Sequence, residues 1–188
     1  LAAAKSVVIV LDNCGLELVS DLLLVDGLLR LPATPTVHLH LKDRPVFVSD
    51  VVRGDVAPTL AWMEANGGAE LAGRLKSALS DGRLELLEHP FYTGPLAFWD
   101  MPEDLRARFS DACIVVLKGD ANYRRLLGDR HWPHDTPFDE LMQLYWPQGV
   151  DVAALRTCKS GVLVGVDAAV EAAAAAAEPE RWLTAGLY

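Results

Sequence analysis

Asp12 and Asn13 stand in an Asp-Asn-Cys-Gly turn directly behind an apolar run, and Asp50 closes a second, shorter one. These three offer oxygen donors only, a set suited to a hard divalent ion such as Mg²⁺ or Mn²⁺ rather than to structural zinc. Lys118, Arg124 and Lys159 bring cations, and the backbone N–H groups opening a helix at Asn122 form a seat for an anion. A divalent ion beside cations and a helix N-terminus is the chemistry of a phosphate site. Arg156 joins Lys159 in the tetrapeptide Arg156-Thr157-Cys158-Lys159. A lone Asp at a strand-to-helix turn is ordinarily an N-cap. Four strand ends that all carry acids, amides or cations raise a site above that reading. Neither GxxxxGK[ST] nor GxGxxG follows a strand, which argues against a nucleotide-cradling loop.

Other reactive residues point to structure rather than chemistry. His38 and His40 fall on one side of a strand at i, i+2, a spacing that can share a metal but more often marks satisfied structural histidines. His131 and His134 lie in DRHWPHDTPF, a segment of aromatics and prolines expected to pack. Cys14 resembles a nucleophile only by position, because no His partner is identifiable. Cys14, Cys113 and Cys158 are odd in number and lack a CxxC pair, which fits reduced thiols and a cytoplasmic protein.

These residues need elements to position them. Lys5–Leu11 is a continuous β-branched run, the pattern of a strand buried on both faces of a parallel sheet. The segment ELVSDLLLVDGLLRL has helical spacing, with Val19, Leu22, Leu23, Asp26 and Leu29 on one face and Asp26 its polar interruption. Thr36–Leu41 reads as a strand, Val46–Ser49 as short and extended, and Ala57–Ser80 as one or two helices around Asn66-Gly67-Gly68. Leu84–Leu87, Ala112–Leu117, Asp151–Leu155 and Val162–Val166 read as further strands, and Asn122–Leu127 and Ala168–Ala177 as helices. This alternation predicts an α/β fold, a single domain over residues 1–188 with a mostly parallel sheet.

Composition narrows the partners. The 188 residues carry 17 Lys plus Arg against 26 Asp plus Glu, a net charge of −9, which argues against nucleic acid as a partner. Hydrophobic residues make up 51% of the chain, enough for a packed core. No apolar run reaches the ~18 residues of a membrane span, and no obligate protein partner is evident. The opening LAAAKSVVIVL shows neither an initiator Met nor the pattern of a cleaved leader, so the chain is read as a fragment.

The blocks VLDNCGLELVSDL, HLKDRPVFVSDV, VLKGDANYRRLLGDRHWP and LRTCKSGVLVGV together resemble, in this order, the acidic-residue-methyltransferase-like family of metal-dependent damage-control phosphatases. RTCK is similar to the RTxK signature of that family's third subfamily. The resemblance runs from about Val7 to Tyr188. It implies a three-layer α/β/α sandwich and an N-terminal helical region that this chain lacks. It also implies a divalent metal, Mn²⁺, Mg²⁺, Co²⁺ or Ni²⁺, held by Asp12, Asn13 and Asp50. Asp120, Ala121, Asn122, Tyr123, Arg124 and Lys159 would then contact a small phosphorylated metabolite, with Glu17 facing the same pocket. The implied activity is hydrolysis of phosphomonoesters, sugar phosphates such as fructose 1-phosphate and fructose 6-phosphate among them. Either Asp12 or a metal-activated water would be the nucleophile. The family name also carries an S-adenosylmethionine-dependent carboxyl methyltransferase activity, for which no glycine-rich loop follows the first strand. A non-catalytic metal- and phosphate-binding fragment is the non-enzyme alternative. A haloacid-dehalogenase-type phosphatase would want DxD where Asp12-Asn13-Cys14 stands.

Overall fold

The computed structural model describes residues 6–32 and 36–177. Strand β1 (Ser6–Val10) is buried along its whole length, as an uninterrupted apolar run demands of a strand covered on both faces. Its alternate side chains part company. Val7 and Ile9, with Leu11 beyond, enter one core, while Val8 and Val10 enter the other, the two-residue period of a pleated strand.

Around β1 lie β2 (Val37–Leu41), β3 (Leu84–Glu88), β4 (Ala112–Lys118) and β5 (Asp151–Leu155), in the order β3-β2-β1-β4-β5. Every strand pair is parallel. The chain builds outward from β1 to β3 and then returns to the far side of β1 for β4 and β5. Right-handed crossovers therefore place the helices on opposite faces. Helices α1 (Leu16–Leu29), α2 (Arg53–Met63) and α3 (Ala69–Ser80) cover one face through Leu18, Leu22, Leu60 and Leu75. The other is covered by α4 (Glu103–Ser110), α5 (Asp120–Leu126) and α6 (Phe138–Gln143) through Leu105, Phe109, Leu126 and Met142. The result is the expected α/β/α sandwich. No described helix is long and apolar enough to cross a membrane.

Several sequence expectations need correction. Val46–Ser49 is not a strand. Pro45 removes one backbone donor, the Asp50 carboxylate accepts the N–H groups of Val46 and Phe47, and Asp50 N–H returns to Phe47 O, which folds the segment into a turn. Val162–Val166 is not a strand either. Its N–H groups go to loops and side chains instead of a ladder: Val164 to the Tyr123 hydroxyl, Gly165 to Thr136 O and Val166 to His134 O. The inward face of α1 is Leu18, Asp21, Leu22, Val25, Asp26 and Leu29, and Leu23 points to solvent. Asp26 is not a bare interruption, since Arg74 of α3 grips it with two bonds of 2.7 Å. Helices α4 and α6 had no counterpart in the sequence reading. The Ala57–Ser80 region is indeed two helices, parted by a kink at Glu64–Gly68 where Asn66 and Gly67 leave helical geometry. Ala168–Ala177 forms α7 as expected.

Candidate active site

Between β1 and β4 the chain departs to opposite faces, so a crevice opens at their carboxyl ends, the usual ligand position in an open parallel sheet. Asp12 and Asn13 leave β1 there, and Gly119 leaves β4. The strand ends approach so closely that a Cβ on Gly119 would overlap the Asp12 side chain, and Gly119 adopts φ 87°. Only glycine meets both demands without strain.

Asp50 arrives from the turn after β2. An antiparallel bridge joins Asn13 to Asp50, and Val51 N–H bonds Asp12 O at 3.1 Å. The Asn13 amide donates to Asp12 Oδ2 and Glu17 Oε2 at 2.9 Å each, while its oxygen accepts from Ser49 Oγ at 2.8 Å. That oxygen keeps a second lone pair for a ligand. Asp12, Asn13, Glu17 and Asp50 are thus brought together at one place.

Between the two aspartates stands a residue the sequence reading passed over. Lys42 Nζ lies 2.7 Å from Asp50 Oδ1, 3.5 Å from Asp12 Oδ1 and 3.4 Å from Asp12 O, with only 6% of the residue exposed. Its signal was available, since it directly follows β2, the position that singled out the other candidates. Burial raises the Asp12 carboxyl above its ordinary range, and the Glu17 and Asp50 charges add to this against the pull of Lys42. Burial also works to raise Asp50, but the Lys42 ammonium and the N–H groups of Phe47 and Val46 outweigh it and hold the carboxyl low.

The cations divide into tied and free. Lys118 Nζ is 2.7 Å from Asp21 and 3.3 Å from Glu17; burial acts to lower its pKa, but these two acids raise it. Arg156 pairs with Asp120 at 2.5 Å, bonds Val162 O and lies 4.2 Å over the Tyr123 ring. Lys159 meets Asp120 through its backbone N–H at 3.4 Å. Its ammonium is exposed and has no partner among the described residues. Arg124 makes a two-pronged pair with Asp129 at 2.6 and 2.7 Å. The Asn122 side chain bonds Lys118 O at 2.8 Å and reaches Leu11 O at 3.4 Å, tying α5 to both strand ends.

Beside this cluster is a cavity of about 460 Å³. Ala121, Asn122, Arg124, Arg125 and Lys42 supply part of its wall, and Val46, Phe47, Tyr92, Pro95 and Ala97 the rest. Of the residues singled out in the sequence, Ala121, Asn122 and Arg124 line it directly. Lys42 links it to Asp12 and Asp50. Lys118 is not on its wall. His40 is buried against the Tyr92 hydroxyl at 2.5 Å, while its Nε2 has no hydrogen-bond partner among the described residues, and burial drives its pKa down to about 3.

The donor set fits a divalent ion. Two buried carboxylates already converge on one cation, the Lys42 ammonium, and the Asn13 amide sits beside them, its nitrogen turned to Asp12 and its oxygen to Ser49 Oγ. Among the described residues no three His, Cys, Asp or Glu side chains cluster as a metal centre. The set is therefore two carboxylates and an amide, with the remaining positions of a hard ion left to water and phosphoryl oxygens.

The chain is a parallel three-layer α/β/α domain with acids, amides and cations gathered at its switch point, the place where open sheets of this class take their ligands. Within that class, residues 1–174 match the family model of the damage-control phosphatase ARMT1-like domain, and the chain belongs to that family. It is 36% identical over 190 residues to the damage-control phosphatase ARMT1 of Xenopus laevis, an alignment covering 98% of this chain and 42% of that protein. The Danio rerio protein of the same name is 36% identical over 191 residues, covering 96% and 41%. The Homo sapiens one is 35% identical over 194 residues, covering 97% and 42%. The chain thus spans less than half the length of these relatives. A crystal structure of a DUF89 family protein from Pyrococcus horikoshii aligns with TM-score 0.46 and 15% identity, over 80% of this chain and 47% of that one.

Proposed function

We propose that this chain carries a metal-dependent phosphomonoester hydrolase site for small phosphorylated metabolites, with sugar phosphates such as fructose 1-phosphate and fructose 6-phosphate as substrates. The observation that carries the reading is the convergence of Asp12, Asn13 and Asp50 beside a cavity walled by Arg124 and Lys42. Membership of a family described as damage-control phosphatases supports it.

Asp12, Asn13 and Asp50 would hold Mn²⁺, Mg²⁺, Co²⁺ or Ni²⁺. Such an ion supplies Lewis-acid stabilisation of the charge that builds on a phosphoryl group. The chain's own residues do the rest by position and charge, which is most of what phosphoryl transfer asks of a protein. Arg124 and the free ammonium of Lys159 neutralise the phosphoryl oxygens. Ala121 and Asn122 set the floor of the cavity, and Glu17 holds the Asn13 amide in place. The Asp120–Arg156 pair, stacked on Tyr123, fixes the segment that carries Lys159. Asp12 either attacks phosphorus itself or orients the attacking water.

The test is phosphate release from a sugar-phosphate panel, using chelator-stripped protein with each ion restored and Asp12→Ala as control. Metal-dependent release that vanishes in Asp12→Ala is the expected result; release that persists in the variant sinks the assignment. Stereochemistry at phosphorus then separates the nucleophiles. With a chiral thiophosphate ester hydrolysed in isotopically labelled water, net retention marks two displacements through Asp12, and net inversion marks direct attack by water.

A further inference from the structure

We propose that Lys42 is a positioning residue that the divalent ion displaces. It balances Asp12 and Asp50 before the ion arrives, and once displaced it turns its ammonium to the phosphoryl group. The inference rests on the hydrolase reading above.

Three observations carry it. Lys42 Nζ stands 2.7 Å from Asp50 Oδ1 and 3.5 Å from Asp12 Oδ1, so it contacts both carboxylates expected to hold the ion. An ammonium and a dication on the same carboxylate oxygens repel strongly in a buried setting, where water screens little. One must yield. Lys42 also lines the 460 Å³ cavity, beside Asn122 and Arg124, so its ammonium has a second place to go on the substrate side. Its backbone is pinned, as the residue after β2, by a parallel bridge to Val52. The four-carbon stem therefore swings from a fixed root, a movement suited to lysine's flexible point charge.

This arrangement couples the two ligands. The ion releases Lys42 toward the phosphate, and a bound phosphate keeps Lys42 away from the ion's carboxylates. By linkage, each ligand then strengthens the other through the same residue.

Removing the charge should act on the two ligands with opposite signs. In Lys42→Met, calorimetric titration without phosphate is expected to show Mn²⁺ bound about tenfold tighter than in the unaltered chain, within the usual range of such couplings. Inorganic phosphate titrated into the Mn²⁺-loaded variant should bind about tenfold more weakly. A lysine with a purely structural role would loosen both on removal. Mn²⁺ affinity that stays equal or falls, or phosphate affinity that does not change, overturns the proposal. Mn²⁺ binding by neither protein would overturn the hydrolase reading, and this inference with it. Equal Mn²⁺ binding by both overturns the role of Lys42 alone. Should Lys42→Met fail to fold in a melting experiment, Lys42→Arg decides. Its fork can grip both carboxylates and should weaken Mn²⁺ binding about tenfold, and unchanged binding overturns the proposal.

Discussion

Two lysines at the carboxyl edge of the sheet each sit between two carboxylates. Lys42, after β2, is held by Asp12 and Asp50; Lys118, closing β4, is held by Asp21 and Glu17. Both are shielded from solvent. They differ in what else their partners and their heads touch. Asp12 and Asp50 belong to the oxygen-donor cluster, and Lys42 opens onto the cavity. Asp21 is a buried helix residue whose Oδ1 holds Lys118 and whose Oδ2 has no hydrogen-bond partner among the described residues. One lysine is placed to exchange its company, whereas the other has nowhere to take its charge. A strand-end cation is therefore not a ligand site by position alone, because the acids on the neighbouring helix decide whether it is available.

The comparison breaks most sharply at Lys118. Lys118→Met leaves Asp21 buried and unpaired, which costs about 3–5 kcal/mol in comparable pairs. Burial already raises the Asp21 carboxyl, and without Lys118 it rises further. A raised carboxyl favours the folded state at low pH and withdraws that support as pH climbs through its folded value. The deficit in urea unfolding should thus be largest at pH 8 and shrink toward pH 5. A deficit that is flat with pH would mean Asp21 is not the cause. Mn²⁺ affinity should be unchanged by this substitution, whereas in Lys42→Met it should rise.

A smaller effect tests the same contrast with a buried group that carries no charge. His40 is neutral when folded, its pKa driven from 6.5 to about 3 by burial. Its contribution is present above pH 6.5 and is lost as pH falls toward 3, because the unfolded chain takes up the proton first. From pH 7 to pH 5 that loss is about 2 kcal/mol, and His40→Gln should remove this part of the slope. An unchanged slope in the variant would reassign the acid sensitivity to other groups.

The smallest change in stability should come from Arg124→Ala. Its pair with Asp129 is largely exposed, so stability should move by no more than about 1 kcal/mol. Because Arg124 lines the cavity, the KM for a sugar phosphate should rise all the same. An unchanged KM would remove Arg124 from the substrate side.

The parallel sheet was legible because its strands are short apolar runs ended by polar turns, a pattern that needs no knowledge of neighbours. KSVVIVL and ACIVVL announce themselves as central strands. Val162–Val166 has the same composition but lies against Tyr123, where loop groups take its N–H donors; composition does not report who the hydrogen-bond partner is. The cluster at Asp12, Asn13 and Asp50 was legible from the strand-end rule. That Lys118 would be consumed by Asp21 was not, because placing Leu23 on the inner face of α1 turned attention from the acid that truly points there. Lys42 directly follows β2, so the same strand-end rule reaches it. Helices α4 and α6 are short and rich in charge, and their anchors Leu105, Phe109 and Met142 gain meaning only from the core they enter.

The contact between Gly119 and Asp12 has a practical reading for anyone who would redesign this domain. A library varied at position 119 should return one answer, since any side chain there disturbs backbone and carboxylate together. Two residues later, Ala121 faces the cavity with a single methyl group. Variation at that position trims the room left for a substrate while the donor cluster stands untouched. Tolerance and intolerance thus lie two positions apart on one turn, and selectivity can be reshaped there without dismantling the chemistry.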